Sequence, residues 1–135
     1  MRLLALDTSG YAAFVRGNDE ALEVVRSHPH IVVSPVVLGE LHAGFLAGSK
    51  IEWNKGILTE LLASSMVSVV DITRDTAERY AVIHHYLRSR GTPVPTNDIW
   101  IAAGAMEHGA TLLTMDRHFL KIPQVITRLI NTSSS

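Results

Sequence analysis

Four short apolar runs, Leu3-Leu4-Ala5-Leu6, Ile31-Val32-Val33, Val67-Ser68-Val69-Val70 and Thr111-Leu112-Leu113-Thr114, are set far apart in the chain and separated by segments of helical character. Runs of this length and composition read as buried strands. Strands that alternate with helices are joined by crossovers, and the economical way to pack them is a parallel sheet with helices on both faces. The expected architecture is therefore α/β, three layers deep, around a mostly parallel sheet of four to five strands. Val125-Ile126 is the candidate for a fifth, short edge strand.

Capping chemistry places the helices between these strands. Asp7-Thr8-Ser9 makes a turn with capping residues ahead of a short helix over residues 10–15. Gly17-Asn18-Asp19 breaks and recaps the chain for a second helix over residues 20–27, which His28-Pro29 ends. Ser34-Pro35 supplies a cap and a proline in the first helical position. The helix that follows carries Val36, Val37, Leu41, Ala43 and Phe45, with Glu40 about a turn inside its start. A helix over residues 51–64 presents Ile51, Leu58, Leu61 and Leu62, and the two together form a protruding helical hairpin over the sheet.

Thr73 caps a long helix over residues 74–90, with Ala77, Tyr80, Ala81, His84 and Leu87 at helical intervals, and Gly91 stops it. Thr92-Pro93-Val94-Pro95-Thr96 is a stiff link to a last long helix that begins at Asp98 and runs to Gly109. Residues 1–130 are expected to form a single domain, and residues 131–135 a polar, frayed tail.

Composition narrows the class. With 135 residues, 47% hydrophobic and mean hydropathy +0.19, the chain has enough apolar material for one real core. It has no cysteine, which excludes disulfides, thiolate metal sites and a cysteine nucleophile. Asp7 interrupts the opening apolar run too early for a secretion leader, and no stretch approaches the roughly 20 apolar residues of a membrane span. A soluble, cytoplasmic protein is expected. The net charge of −1 and pI near 6.6 lack the basic footprint of a protein that grips nucleic acid everywhere, so any such contact falls to local clusters. The candidates are Arg88 with Arg90, Arg117 with Lys121, and Arg16.

Four acidic residues, Asp7, Glu40, Asp98 and Asp116, sit where a strand ends or a helix begins. In a parallel sheet such positions converge outside the carboxyl ends of the strands, where open α/β sheets bind ligands. Carboxylates gathered there repel one another unless a divalent cation holds them, so the set reads as a hard-metal site. Taken singly, each has a plain structural explanation: Asp98 favours a helix start, Asp7 a turn, and Glu40 a solvated helix face. The joint pattern outweighs these, because Glu40 lies among Val36, Val37, Leu38 and Leu41, and a buried carboxylate needs a partner. Thr8, Asn97 and Thr114 stand beside the acids and are expected to fix their rotamers. Asp71 also follows a strand but leads into the Thr73 cap, so it is assigned to turn chemistry. His84 and His85 are adjacent and diverge on a helix, and no histidine metal site is expected.

Asp7-Thr8-Ser9 after the first strand, Pro35-Val36-Val37-Leu38-Gly39-Glu40-Leu41, Asn97-Asp98 with Ile101-Ala102-Ala103, and Thr114-Met115-Asp116 with Phe119 together resemble the PIN domain, in particular the VapC-type toxins of toxin–antitoxin pairs. The resemblance runs from Leu3 to about Val125, and all four acids match in order and setting. It implies an endoribonuclease that depends on one or two magnesium or manganese ions. Asp7 and Asp98 would be core metal ligands, Asp116 would complete the cluster, and Glu40 would assist in placing metal or water. It also implies a small antitoxin seated on the active-site groove, and a homodimer. Two other classes compete. A receiver-like or phosphatase-like domain needs a second acid beside the first-strand Asp or a well-placed lysine, and here Thr8 and Ser9 follow Asp7. A catalytically silent PIN-like interaction module has no reason to keep clustered, repelling carboxylates.

Overall fold

The computed structural model describes residues 2–131. Its strands are β1 (Leu3–Leu6), β2 (His30–Val33), β3 (Val67–Val69), β4 (Thr111–Thr114) and β5 (Thr127–Leu129). All pair in parallel, in the order β3-β2-β1-β4-β5. Consecutive residues of β1, β2 and β4 are buried, and successive strand residues point to opposite faces, so both faces of the sheet are covered. The helices are α1 (Thr8–Val15), α2 (Asp19–Arg26), α3 (Pro35–Ala47), α4 (Ile51–Ala63), α5 (Arg74–Arg90) and α6 (Thr96–Glu107). Right-handed crossovers put α1 to α4 on one face and α5 and α6 on the other. The chain leaves β1 toward β2 and β3, then returns to the other side of β1 for β4. This reversal opens a crevice at the carboxyl ends of β1 and β4, the place where such sheets bind ligands.

The start of α1 is pressed into that crevice. A Cβ on Gly10 would stand 2.1 Å from the carbonyl oxygen of Leu113 in β4, so only glycine lets the helix approach so closely. On the other face α5 and α6 are tied by Glu107. Its Oε1 accepts from Thr76 Oγ1 at 2.5 Å and its Oε2 from Thr73 Oγ1 at 3.3 Å, which joins the capping box of α5 to the last residue of α6. The α3–α4 hairpin stands out from the body, with Leu58 the buried residue of α4 and Leu46 and Trp53 each 69% exposed.

Several details depart from the sequence expectations. The buried stripe of α5 is Thr76, Ile83 and Leu87 with half-buried Tyr80, whereas Ala77, Ala81 and His84 are exposed. Helix α6 begins at Thr96, following the extended Pro95, so Asp98 lies in its first turn rather than at its cap. Residues Arg117–Lys121 form a 3₁₀ helix, η1, where no element was expected. The edge strand is Thr127–Leu129 rather than Val125-Ile126. Val125 is instead buried in the turn before it, and pairing starts where Leu112 N–H reaches the Ile126 carbonyl at 2.8 Å. Of the expected frayed tail, residues 132–135 lie outside the described residues, but Asn131 N–H is held by Glu20 Oε1 at 3.2 Å.

Candidate active site

Asp7 ends β1 and caps α1. Only 4% exposed, it is surrounded by donors: Gly10 N–H at 2.6 Å from Oδ1, Ser9 Oγ at 2.9 and 3.0 Å from the two oxygens, and Thr114 Oγ1 at 2.5 Å from Oδ2. Burial raises its pKa above the ordinary aspartate value, the hydrogen bonds from Thr114, Gly10 and Ser9 pull it back, and the charge of Asp116 adds to the rise. The residue is thus fixed in one rotamer at the end of the crevice.

Glu40 reaches the same region from α3 and is clamped by both residues expected to support the acids. Thr8 Oγ1 donates to its Oε1 at 2.5 Å and Asn97 Nδ2 to its Oε2 at 3.1 Å. Thr8 adjoins Asp7 and Asn97 adjoins Asp98, so the clamp links the starts of α1 and α6 through a side chain of α3.

Asp98 and Asp116 meet at the mouth of the crevice. Each presents an oxygen that lies, with a ring nitrogen of His118, in a cluster whose atoms are all within 4.8 Å of one another. His118 Nδ1 is 3.1 Å from Asp116 Oδ1 and 3.3 Å from Asp98 Oδ2. The second approach is an electrostatic contact without hydrogen-bond alignment, and Asp98 Oδ2 remains buried with no donor. The Asp98 pKa is pushed up to about 6, first by burial and next by the charge of Asp116. His118 opposes that rise, and Glu40 adds a smaller push. Asp116 is oriented by its own N–H, which donates to Thr114 Oγ1 at 2.9 Å, and by His118 N–H, which caps its Oδ1 at 2.9 Å.

All four acids therefore feel one another: Asp7 with Asp116, Asp116 with Asp98, and Asp98 with Glu40. Asp7 itself stands outside the 4.8 Å trio. Asp71 is exposed in the coil before α5, away from this set, as its turn assignment required. Two residues escaped the sequence reasoning. His118 was passed over because no pair of histidines has one-face spacing, yet a single histidine lies between two of the acids. Ser9 was read only as a turn residue, whereas its hydroxyl also accepts Met115 N–H at 2.9 Å and binds the β4 end to Asp7. The His-Asp spacing across a short helical turn, Asp116 to His118, was the signal available for the first.

A family model described as PIN domain matches residues 4–125. The chain belongs to the PIN-domain family. Among curated proteins, it is 36% identical to Ribonuclease VapC4 of Mycobacterium tuberculosis over 93 residues, 69% of this chain and 72% of that protein. Ribonuclease VapC2 of Rickettsia felis is 30% identical over 106 residues, 78% of either chain. Among solved structures, this PIN domain matches a chain of VapBC2 from Rickettsia felis, crystallised with a DNA fragment from their promoter. The TM-score is 0.82 at 27% identity, covering 96% of this chain and 99% of that one.

The basic residues of this PIN domain do not group as their sequence positions suggested. Arg88 and Arg90 are two apart on a helix and so face different ways, and Arg117 and Lys121 diverge on a helix of three residues per turn. Arg88 lines a hollow of 290 Å³ with His84, Pro93 and Thr96. Arg117 lines a second of 410 Å³ with Met115, Leu129 and Asn131, and Arg16 reaches Met115 Sδ at 3.5 Å. Arg90 and Lys121 share a third, of 440 Å³.

Proposed function

We propose that this PIN domain is a divalent-metal-dependent endoribonuclease and the toxin of a toxin–antitoxin pair. The observation that carries the reading is the Asp98–Asp116 pair, in which a buried carboxylate oxygen lacks a hydrogen-bond donor beside a second carboxylate. Such an oxygen is costly to ionise without a counter-charge, and a hard cation that takes oxygen ligands fits it. Magnesium or manganese suits an all-oxygen donor set that leaves room for water. Asp98 and Asp116 would hold the ion, and Asp7 would support it from behind Thr114.

When bound, such an ion supplies a water of lowered pKa and offsets charge on a phosphate. The chain's own residues do the rest. Glu40, held at both oxygens by Thr8 and Asn97, keeps a lone pair on each oxygen to orient a water for in-line attack or take its proton. His118, bearing hydrogen on Nδ1, neutralises part of the carboxylate repulsion. The ribonuclease names of the curated relatives support RNA as substrate, and the toxin–antitoxin complexes among the similar structures support a small antitoxin as partner. The family resemblance supports a homodimer. No described helix is long and apolar enough to cross a membrane, which accords with action in the cytoplasm.

The test is cleavage of RNA by purified protein with magnesium or manganese, against the same protein in EDTA and against Asp98→Asn. Cleavage is expected to need the metal and to fall at least a hundredfold in the variant, with melting behaviour preserved. Equal cleavage by wild type and variant would overturn the assignment. Expression without a partner is expected to arrest growth, and arrest that persists in Asp98→Asn would separate toxicity from this site.

A further inference from the structure

The groove shared by Arg90 and Lys121 lies between the last turn of α5 and the end of η1, and Tyr86, Thr92, Leu120 and Pro123 complete its lining. The Arg90 guanidinium sits over the Tyr86 ring, 5.2 Å from its centroid. Neither Arg90 nor Lys121 is paired with a carboxylate among the described residues. In a chain of net charge −1, two unneutralised cations on one open groove are a local exception to the charge balance.

The chemistry of the lining selects its occupant. A guanidinium backed by an aromatic ring is a flat cationic plate on which a nucleobase stacks, and an ammonium beside it meets a phosphate. Bases in a duplex are already stacked on one another, whereas those of a single strand are free to stack on protein. The groove also lies in line with the acids. Asp116 caps η1 and Lys121 ends it, so at about 2 Å of rise per residue the two stand roughly 10 Å apart along that helix, within reach of one RNA strand.

We infer that a single-stranded segment of the substrate RNA, flanking the phosphate that is cut, lies in this groove, with a base on the Arg90–Tyr86 plate and a phosphate on Lys121. The inference rests on the ribonuclease reading for its substrate, but binding is measurable without cleavage. The hollow at Arg117 lacks such an aromatic plate, and the Arg88 hollow holds a single Arg or Lys.

The experiment is fluorescence anisotropy in EDTA with a labelled single-stranded RNA of about 12 nucleotides and mixed sequence, and with the same strand in a duplex. Arg90→Ala with Lys121→Ala is expected to raise the single-strand Kd about tenfold, and to flatten the dependence of log K on log salt by about 1.4, the value for two lost phosphate contacts. Tyr86→Phe, which keeps the ring, is expected to bind as wild type, and Lys121→Glu more weakly than Lys121→Ala. Both cations are exposed, so unchanged thermal melting is expected to accompany these losses. An unchanged Kd and salt slope in the double variant, or an equal loss for duplex, would overturn the inference. RNA cleavage by wild type together with groove-independent binding sinks the groove alone. Groove-dependent binding without any cleavage sinks the nuclease reading and leaves the groove.

Discussion

Thr114 donates its hydroxyl to Asp7 Oδ2 at 2.5 Å, and the same oxygen accepts the backbone N–H of Asp116 at 2.9 Å. One buried side chain of β4 thus holds the first-strand acid and sets the direction of the acid that follows β4. Thr114→Val keeps the shape and removes the hydroxyl, leaving a buried carboxylate with one donor fewer. The expected cost is about 1–3 kcal/mol in a urea unfolding midpoint, with Thr114→Ser recovering most of it. A valine variant as stable as wild type would show that the bond holds nothing together.

Gly10 is the second structural demand at this edge. With a Cβ predicted to lie 2.1 Å from Leu113 O, Gly10→Ala requires α1 to withdraw from β4, and Asp7 and Ser9 move with it. Overpacking of this kind typically costs about 1–3 kcal/mol. Because the displaced residues carry the acidic site, cleavage is expected to fall more steeply than stability. Gly39→Ala has open space around its Cβ and serves as the control, and equal behaviour of the two variants would contradict the close approach.

The raised pKa of Asp98 has a consequence for stability without metal. Its folded value of about 6 exceeds the unfolded value near 3.9, so between these limits the folded chain binds more protons than the unfolded one. The Asp98 contribution is therefore fully present below about pH 4, declines as pH rises through about 6, and is absent above that. The effect is of order 2 kcal/mol, from about 1.4 kcal/mol per pH unit between the two values. Asp7, also raised, acts in the same direction. In EDTA the melting temperature is expected to fall between pH 4.5 and 6.5 by more for wild type than for Asp98→Asn, and the variant is expected to be the more stable of the two at pH 7. Magnesium should stabilise wild type and leave the variant nearly unchanged. Parallel pH profiles of the two proteins in EDTA would refute this account.

Helix α5 was legible at both ends because Thr73 and Gly91 carry local chemistry, a capping box and a left-handed φ of 67°, that acts within a few residues. The strand-end acids Asp7 and Asp116 were legible for a related reason: burial of a four-residue apolar run fixes where the strand stops. His118 was hidden because its role depends on the 3₁₀ turn of η1, which follows from the Asp116 cap and the burial of Phe119 rather than from helical periodicity. The pairing of Arg90 with Lys121 was hidden because it arises from packing between distant segments. β5 was displaced because an edge strand has less need of the continuous apolar run that marks central strands, and Ile126, which suggested it, is 71% exposed.

Glu40 offers the most informative cycle of substitutions. Thr8 and Asn97 each hold one of its oxygens, and those two residues adjoin Asp7 and Asp98. If Glu40 acts in the reaction from this clamp, Thr8→Val and Asn97→Ala should each lower kcat severalfold with little change in KM, because they disturb orientation rather than binding. Combined with Glu40→Gln, neither should lower kcat much further, since the group they position is already disabled. Residues in one hydrogen-bonded unit are non-additive in this way. If Glu40 serves only to neutralise donors at the helix starts, Glu40→Gln should instead leave kcat near wild type while unfolding shifts by about 1 kcal/mol. Steady-state cleavage of a labelled RNA by the three single and two double variants decides between these outcomes.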